Sequence, residues 1–403
     1  MKILMLVPFL PNTSMSGGQT RWYNIIKGLS KEHDITLFSL IKDESEKQFI
    51  PELQKYCKKV EVFSRPKSPW TLRNLLFTAF SYYPLLVVRN YSWKEKRAVI
   101  EELKREKYDL IHAETFYVMP HVPQNTSVPS VLVEQTIEYL VYKHYVDHEV
   151  PWFLRPIYLI DVIKLRFWEL YFWKRTNRLV AVSEDDKRVM QQLLTDVTVD
   201  VIPNGVDTNR FANYKMEKKT PPRLLYGAAN FNWLQNVEAV EILLSDVWPH
   251  IYKKAKNVKL WIVGRNIPQS IYKLAKKYPR VEFTESIADV RDALKAASIM
   301  IVPVEGPGGT RLKVLEAMAS RLPVVSTETG VAGLKVTDGV HAVVGKTPLD
   351  LANGALTLLT SAKKRESIGE AGYRFVKNYF DWSIIVGLHE QIYKEITTKK
   401  KKV

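Results

Sequence analysis

A single cysteine, Cys57, stands among 403 residues, so the chain can close no disulfide within itself and offers no cysteine cluster at metal-ligand spacing. That scarcity suits a reducing compartment, and the expected setting is the cytoplasm. Long apolar runs are missing too, because charge interrupts every greasy stretch within the roughly 18 residues that a bilayer-spanning helix needs. The opening MKILMLVPFLPNTSMSGG is broken by Pro8 and Pro11 and has no clean small-residue cleavage site; it reads as a first β-strand and not as a secretory leader. Acidic residues are in deficit, 43 against 59 Lys and Arg, which favours anionic partners such as nucleic acid, acidic lipid or phosphorylated substrates. Zinc-finger spacing, RNA-binding signatures and heptads beside a basic region are all absent, so nucleic acid is not the expected partner. With 46% hydrophobic and 11% aromatic residues, two ordinary domain cores can be filled and a disordered chain is not expected.

What is present is an alternation. KILMLVPFL, HDITLFSLI, KVEVFS, DLIHAE, SVLVEQ and RLVAVSE have strand length and apolar content, with helix-patterned segments between them. The rhythm restarts after residue 207 with RLLYGAA, VKLWIVG, VEFTES, IMIVPV, PVVSTE and HAVVG. The pattern predicts an α/β protein of two similar domains, each a parallel sheet with helices on both faces. The expected division is 1–207, a polar connector at 208–222 ending in two prolines, 223–381, and a terminal helix with a basic tail at 382–403. Ligands of such sheets bind beyond the carboxyl ends of the strands, so the chemistry belongs in strand-to-helix loops, in a cleft between two facing domains.

Two loops stand out. Gly17 and Gly18 precede a helix expected to start near Thr20; the pair could bring backbone amides to a phosphate, or could be a plain flexible turn. The second loop, Glu305 to Thr310, holds three glycines and a proline, and Arg311 and Lys313 follow in the first helical turn. Cations are misplaced at a helix N-terminus unless an anion is bound there. A diphosphate would resolve the conflict, and so would a local pair between Lys313 and Glu316. Glu316 sits among Leu312, Val314, Leu315, Ala317, Met318 and Ala319, and a carboxylate on so apolar a helix demands donors. A ribose diol or an internal salt bridge would supply them.

These residues carry a resemblance. MKILMLVPFLPNTSMSGGQTRWYNIIKGLS, VAVSEDD with VIPNGVDTNRF, YGAANFNWLQNVEAVEILLSDVWPHI, LWIVGRN and GGTRLKVLEAMASRLPVVST together resemble glycosyltransferase family 4 over nearly the whole chain. That is a retaining family of the GT-B fold, and the likeness is to its polysaccharide- and glycolipid-associated branch. The resemblance implies a nucleotide-sugar donor in the second domain, an acceptor on the first, and no obligatory metal or other cofactor. Glu316 matches the glutamate that holds the donor ribose, and Gly308, Gly309 and Thr310 match the loop before it. Family members usually carry another glutamate eight residues earlier, where this chain has Gly308. Many also place an Arg and a Lys after the first strand of the second domain, where this chain has Asn230, Asn232 and Trp233. Arg265, Arg311 and Lys313 are the expected substitutes as diphosphate cations.

In the first domain, the resemblance makes His112 and Glu114 the catalytic candidates, near the family's histidine at the reacting carbon, though a lone histidine is also a common structural residue. Glu138, four residues after Glu134, resembles an acidic position on the acceptor side, and a solvated helix face is the other reading. Retaining chemistry of this type relies on alignment and charge stabilisation, with the donor phosphate helping to take the acceptor proton. A nucleotide-sugar epimerase, a glycan phosphorylase and a non-catalytic basic polymer-binding protein remain as alternatives on the same architecture. Finally, Trp152 to Arg178 and Trp70 to Arg89 are aromatic, apolar and basic. Intradomain packing would explain one face of each. The expectation for the other is an anionic membrane surface at the inner face of the cell membrane, with a glycan or lipid-linked acceptor.

Overall fold

In the computed structural model, which describes residues 1–13, 16–216, 219–306 and 310–400, the apolar runs form strands, the central ones buried on both faces as in parallel sheets and the edge ones part-buried. The first unit comprises residues 1–203 and 385–403. Its strands are β1 (Lys2–Val7), β2 (Asp34–Ile41), β3 (Lys59–Ser64), β4 (Leu110–Glu114), β5 (Ser130–Glu134), β6 (Arg178–Ala181) and β7 (Val199–Val201). They lie in the order β3-β2-β1-β4-β5-β6-β7, with every pairing parallel. The three-residue β7 is too short to stand out as an apolar run, and periodicity does not reveal it.

The second unit, residues 204–384, has β8 (Arg223–Asn230), β9 (Lys259–Arg265), β10 (Val281–Thr284), β11 (Ile299–Val302), β12 (Val324–Thr327) and β13 (Val343–Gly345). Their order is β10-β9-β8-β11-β12-β13, again all parallel. Each sheet grows outward in one direction and then restarts on the other side of its first strand. The switch points therefore fall between β1 and β4 and between β8 and β11, where open α/β sheets leave a crevice for ligands.

The helices that position the sites are α1 (Gly17–Leu29), α2 (Leu72–Phe80), α3 (Glu138–Glu149), α4 (Arg155–Arg175), α5 (Thr208–Ala212), α6 (Leu234–Ile242), α7 (Val290–Ala296), α8 (Leu312–Ala319) and α9 (Trp382–Lys400). The boundary between the units lies after Pro203, earlier than the expected connector. Thr208 to Ala212 is helix α5, capped by the Asp207 carboxylate on Arg210 N at 2.9 Å. It buries Phe211 in the core of the second unit. A short helix with one apolar anchor looks polar in sequence, which is why it reads as a linker. Beyond Ile385, α9 belongs to the first unit. There Val386 packs so closely on Gly28 that a Cβ at Gly28 would fall 2.3 Å from it.

Candidate functional site

In the second unit, the carboxyl ends of β8 and β9 lie side by side, with Asn230 opposite Arg265. The Asn230 side chain accepts from Asn232 N at 3.1 Å and from Asn266 Nδ2 at 3.2 Å, so one amide ties together the loops that leave both strands. Asn230 and Asn232 thus have a loop-fastening use in place of the family's cations. Arg265 is half-buried beside them. Across the switch point, β11 leads through the glycine loop to α8. Gly308 and Gly309 lie outside the described residues. Thr310 is buried, and its carbonyl accepts from Asn204 Nδ2 at 2.9 Å, which links the family-like VIPNGVD segment to this loop.

Arg311 is the N-cap residue of α8 and turns back to donate from Nη2 to Gly306 O at 2.8 Å. Lys313, in the first turn, reaches away from its own helix to β8 and α6. Its ammonium donates to Asn236 Oδ1 at 2.7 Å and to the Tyr226 hydroxyl at 3.2 Å, and lies 4.4 Å from the centre of the Tyr226 ring. Tyr226 OH in turn donates to Asn236 Oδ1 at 2.8 Å. Lys313 therefore does not make the local pair with Glu316. A cation from α8 instead arrives at the start of α6, where the family-like pattern had lost its own. Burial, reinforced by the nearby Arg311 charge, pushes the Lys313 ammonium down to about 7, against the pull of Glu316.

Glu316 lies one helical turn further on. Its neighbours Val314, Leu315, Ala317 and Met318 are buried, while Glu316 itself is half-buried. Its carboxylate makes no hydrogen bond or ion pair among the described residues. Burial pushes it up to about 7, while Arg210 on α5 and Lys313 draw it down and Asp289, the N-cap of α7, adds repulsion. Two groups of opposite charge, each held near neutrality, thus flank the start of α8. Arg210, Tyr226 and Asn236 were not legible as site residues; the clue available was the amide-rich run GAANFNWLQN.

In the first unit, Gly17 and Gly18 are not a loop before the helix: they open α1, with Ser16 as N-cap accepting from Gln19 N at 3.3 Å. A Cβ at Gly18 would come within 2.9 Å of Gln135 Oε1, so the glycine allows that close approach. On β4, across the switch point, His112 and Glu114 are both fully buried. His112 Nε2 meets Glu114 Oε1 at 2.9 Å, and Nδ1 meets the hydroxyl of Tyr393 from α9. Both ring nitrogens of His112 are thus engaged by protein. Arg21, also fully buried, donates to Pro203 O at 2.7 Å and Ile202 O at 3.0 Å. Thr115, directly after Glu114, holds a left-handed backbone with φ 65° and ψ 148°, a strain that β-branched residues normally avoid.

Glu134 and Glu138 do not share a helix face, because Glu134 ends β5 and Glu138 opens α3. Glu134 is fully buried and accepts from Trp173 Nε1 at 2.9 Å. Glu138 accepts from the Tyr117 hydroxyl at 3.3 Å and is pushed up to about 7 by burial. The start of α3 has no side-chain cap of its own. Glu169, fully buried on α4, supplies one by accepting from Glu138 N at 2.8 Å and Tyr139 N at 3.1 Å. Burial, then Glu138, drives the Glu169 carboxyl well above the ordinary range. An acid inside an aromatic, basic helix was the available signal for Glu169, and the sequence reading missed it.

Comparison with known proteins places these loops in a family. Residues 15–210 match the family described as Glycosyltransferase Family 4, and residues 222–361 match the one described as Glycosyl transferases group 1. The chain is 28% identical over 237 residues to a phosphatidyl-myo-inositol mannosyltransferase of Mycobacterium leprae (strain TN), a match covering 56% of this chain and 60% of that protein's length. In fold it resembles a sucrose-phosphate synthase from Thermosynechococcus elongatus, with a TM-score of 0.69 and 17% identity over 99% of both chains. It also resembles Anabaena HepE, solved in complex with UDP and glucose, with a TM-score of 0.65 and 19% identity over 99% of this chain and 100% of that one. The first family match covers most of the first unit and ends just past the division between the units, and the second lies wholly within the second unit. The chain belongs to glycosyltransferase family 4 and is a glycosyltransferase of the GT-B fold.

Proposed function

We propose that the protein transfers a sugar, with retention of anomeric configuration, from a nucleotide-sugar bound by the second unit to a glycan or lipid-linked hydroxyl acceptor bound by the first. The observation that carries this reading is the Glu316 carboxylate, which has no hydrogen-bond donor among the described residues and lies one turn into α8. A ribose offers two hydroxyl donors to its two oxygens, and the ionised form gains most from them. Lys313, Arg311 and Arg265, with the helix N-terminus, provide positive charge for the diphosphate. Gly308, Gly309 and Thr310 are assigned to the same group, as the family resemblance implies, Gly308 and Gly309 lying outside the described residues. With that charge supplied by the chain, the reading requires no metal and no other cofactor.

In the proposed step the acceptor oxygen bonds to the anomeric carbon as the bond from that carbon to the diphosphate oxygen breaks. The acceptor proton passes to the departing phosphate, so alignment matters more than a strong side-chain base. Glu138, in contact with Tyr117, is the acceptor-side acid of this reading. Glu114, held by His112 and reached by Gln135, which lies against Gly18 at the start of α1, shapes the loop end of β4. A lipid-linked acceptor fits the exposed apolar and basic surface of the first unit and accords with the mycobacterial relative, which is named for phosphatidyl-myo-inositol. The enzyme would then act as a peripheral protein at the inner face of the cell membrane. No helix among the described residues is long and apolar enough to cross one.

The test is thermal unfolding against UDP-glucose, UDP-galactose, UDP-N-acetylglucosamine and GDP-mannose, since a ligand of the folded state raises the melting temperature by mass action. At least one is expected to stabilise the wild type and to lose that effect in Glu316→Ala. Stabilisation undiminished in a folded Glu316→Ala protein would refute the ribose assignment.

A further inference from the structure

Helix α4 is apolar on two opposite faces. Val162, Leu165, Phe172 and Trp173 are buried in the first unit, while Ile157, Ile160, Ile163 and Phe167 form a second stripe facing outward, with Ile163 68% exposed. Helix α2 lies beside it and buries little but Asn74. Leu72, Leu76, Phe77 and Phe80 point outward, Phe80 with 88% of its surface exposed, and Tyr82 follows with 87%. The two segments are fastened together: Lys164 Nζ donates to Thr78 O at 2.8 Å and to Ser81 O at 2.7 Å, and Trp168 Nε1 donates to Tyr82 O at 2.8 Å. Tyr83 stacks on Trp168 with ring centres 4.5 Å apart. The outward residues are thus held on a structured ledge, and a contiguous apolar surface of this kind marks an interaction site.

Its charge says what covers it. From residue 62 to residue 94 the chain contains no Asp or Glu, and from 152 to 178 the acids are Asp161 and Glu169 alone. Both are turned inward: Asp161 accepts from Leu85 N at 3.1 Å, and Glu169 caps α3. The exposed charges of these segments, Lys67, Arg73, Lys94, Arg166, Lys174 and Arg175, are all positive, Lys67 being paired with Asp43 from outside them. Two copies of this face would repel each other, whereas an anionic bilayer satisfies both features, taking the apolar side chains below its headgroups and the cations among them.

We propose that the paired α2 and α4 face, with Phe77, Phe80, Ile160, Ile163 and Phe167 at its centre, docks the protein onto an anionic lipid surface. This deepens the peripheral placement argued above and rests on it, but it is independent of the donor site on the other unit. The experiment is flotation with vesicles of equal parts phosphatidylcholine and phosphatidylglycerol and with phosphatidylcholine alone. It is run on the wild type, on the double variant Phe77→Asp/Ile160→Asp and on Arg73→Gln/Arg166→Gln. Melting with and without the nucleotide-sugar identified above reports folding and donor binding for each.

The wild type is expected to float with the anionic vesicles at least about tenfold more than with neutral ones, and less at high salt. The aspartate variant is expected to lose binding by at least about tenfold, the glutamine variant to weaken on anionic vesicles only, and both to keep donor binding. Aspartate variants that float as well as the wild type would overturn the assignment of this face while leaving peripheral placement standing. A folded, donor-binding wild type that stays with the unbound fraction would overturn both. So would wild-type dimerisation in sedimentation that the aspartates abolish without any lipid binding, since the face would then be covered by a second copy.

Discussion

Lys313 and Glu316 lie one helical turn apart, and each is brought to about 7 from opposite sides by burial. Their protonation bears directly on donor binding. Glu316 accepts ribose hydroxyls best when ionised, so affinity falls as pH drops below about 7. Lys313 neutralises a diphosphate only when protonated, so affinity falls as pH rises above about 7. The diphosphate of a nucleotide-sugar is doubly esterified and does not titrate in this range, which leaves the protein as the source of the profile. Calorimetry with the stabilising nucleotide-sugar should give an affinity maximum near neutrality, with losses of several-fold one pH unit to either side. Lys313→Arg keeps its charge and should remove the alkaline fall. Glu316→Gln should remove the acid fall and bind about tenfold or more weakly. A flat wild-type profile would mean that neither group meets the ligand. At this scale the sequence was half legible. Glu316 could be singled out because a carboxylate on an apolar helix demands donors. The destination of Lys313 could not, because Tyr226 and Asn236 are distant in sequence and meet it only through the β8–β11 switch.

At the scale of elements, α3 and α4 depend on each other through an acid that neither could reveal alone. Helix α3 begins without a side-chain cap, and Glu169 of α4 satisfies two of its free amides. Glu169→Ala should lower stability by about 1–3 kcal/mol in urea unfolding, since two part-buried amides lose their acceptor. It should also weaken acceptor use more than donor binding, because Glu138 is the residue so capped. An unchanged midpoint would show that water replaces the carboxylate. Strands were largely legible here, because burial on both faces of a parallel sheet writes a continuous apolar run; β7, at three residues, was too short for that signal. Helix starts were less so. Gly17 and Gly18 belong to α1 because Ser16 caps it, and glycine's weak helical preference hides that start. Helix α5 reads as linker for a related reason, burying only Thr208 and Phe211. Helix α4 displayed its apolar character openly, but only the structure separates the stripe that packs from the stripe left outside.

The whole molecule is two all-parallel units, with the last helix of the chain returned to the first unit by Ile385 and the residues after it. That division gives each unit its own core and its own switch point, so donor recognition can be examined apart from acceptor chemistry. The two-domain architecture was readable from the restarted strand rhythm; the exact boundary was not, because it falls inside a segment whose packing partners, Phe380 and Asp381, come from the far end of the second unit. The central claim for the molecule is that the second unit recognises a nucleotide-sugar through the ribose, by way of Glu316. Calorimetry tests it most directly, comparing a nucleoside diphosphate with its 2′,3′-dideoxy analogue on wild type and on Glu316→Ala; the diphosphate used is UDP or GDP, whichever matches the stabilising sugar. The account predicts that removing the diol weakens wild-type binding by about tenfold or more and leaves Glu316→Ala binding unchanged. Equal losses on the two proteins would contradict it.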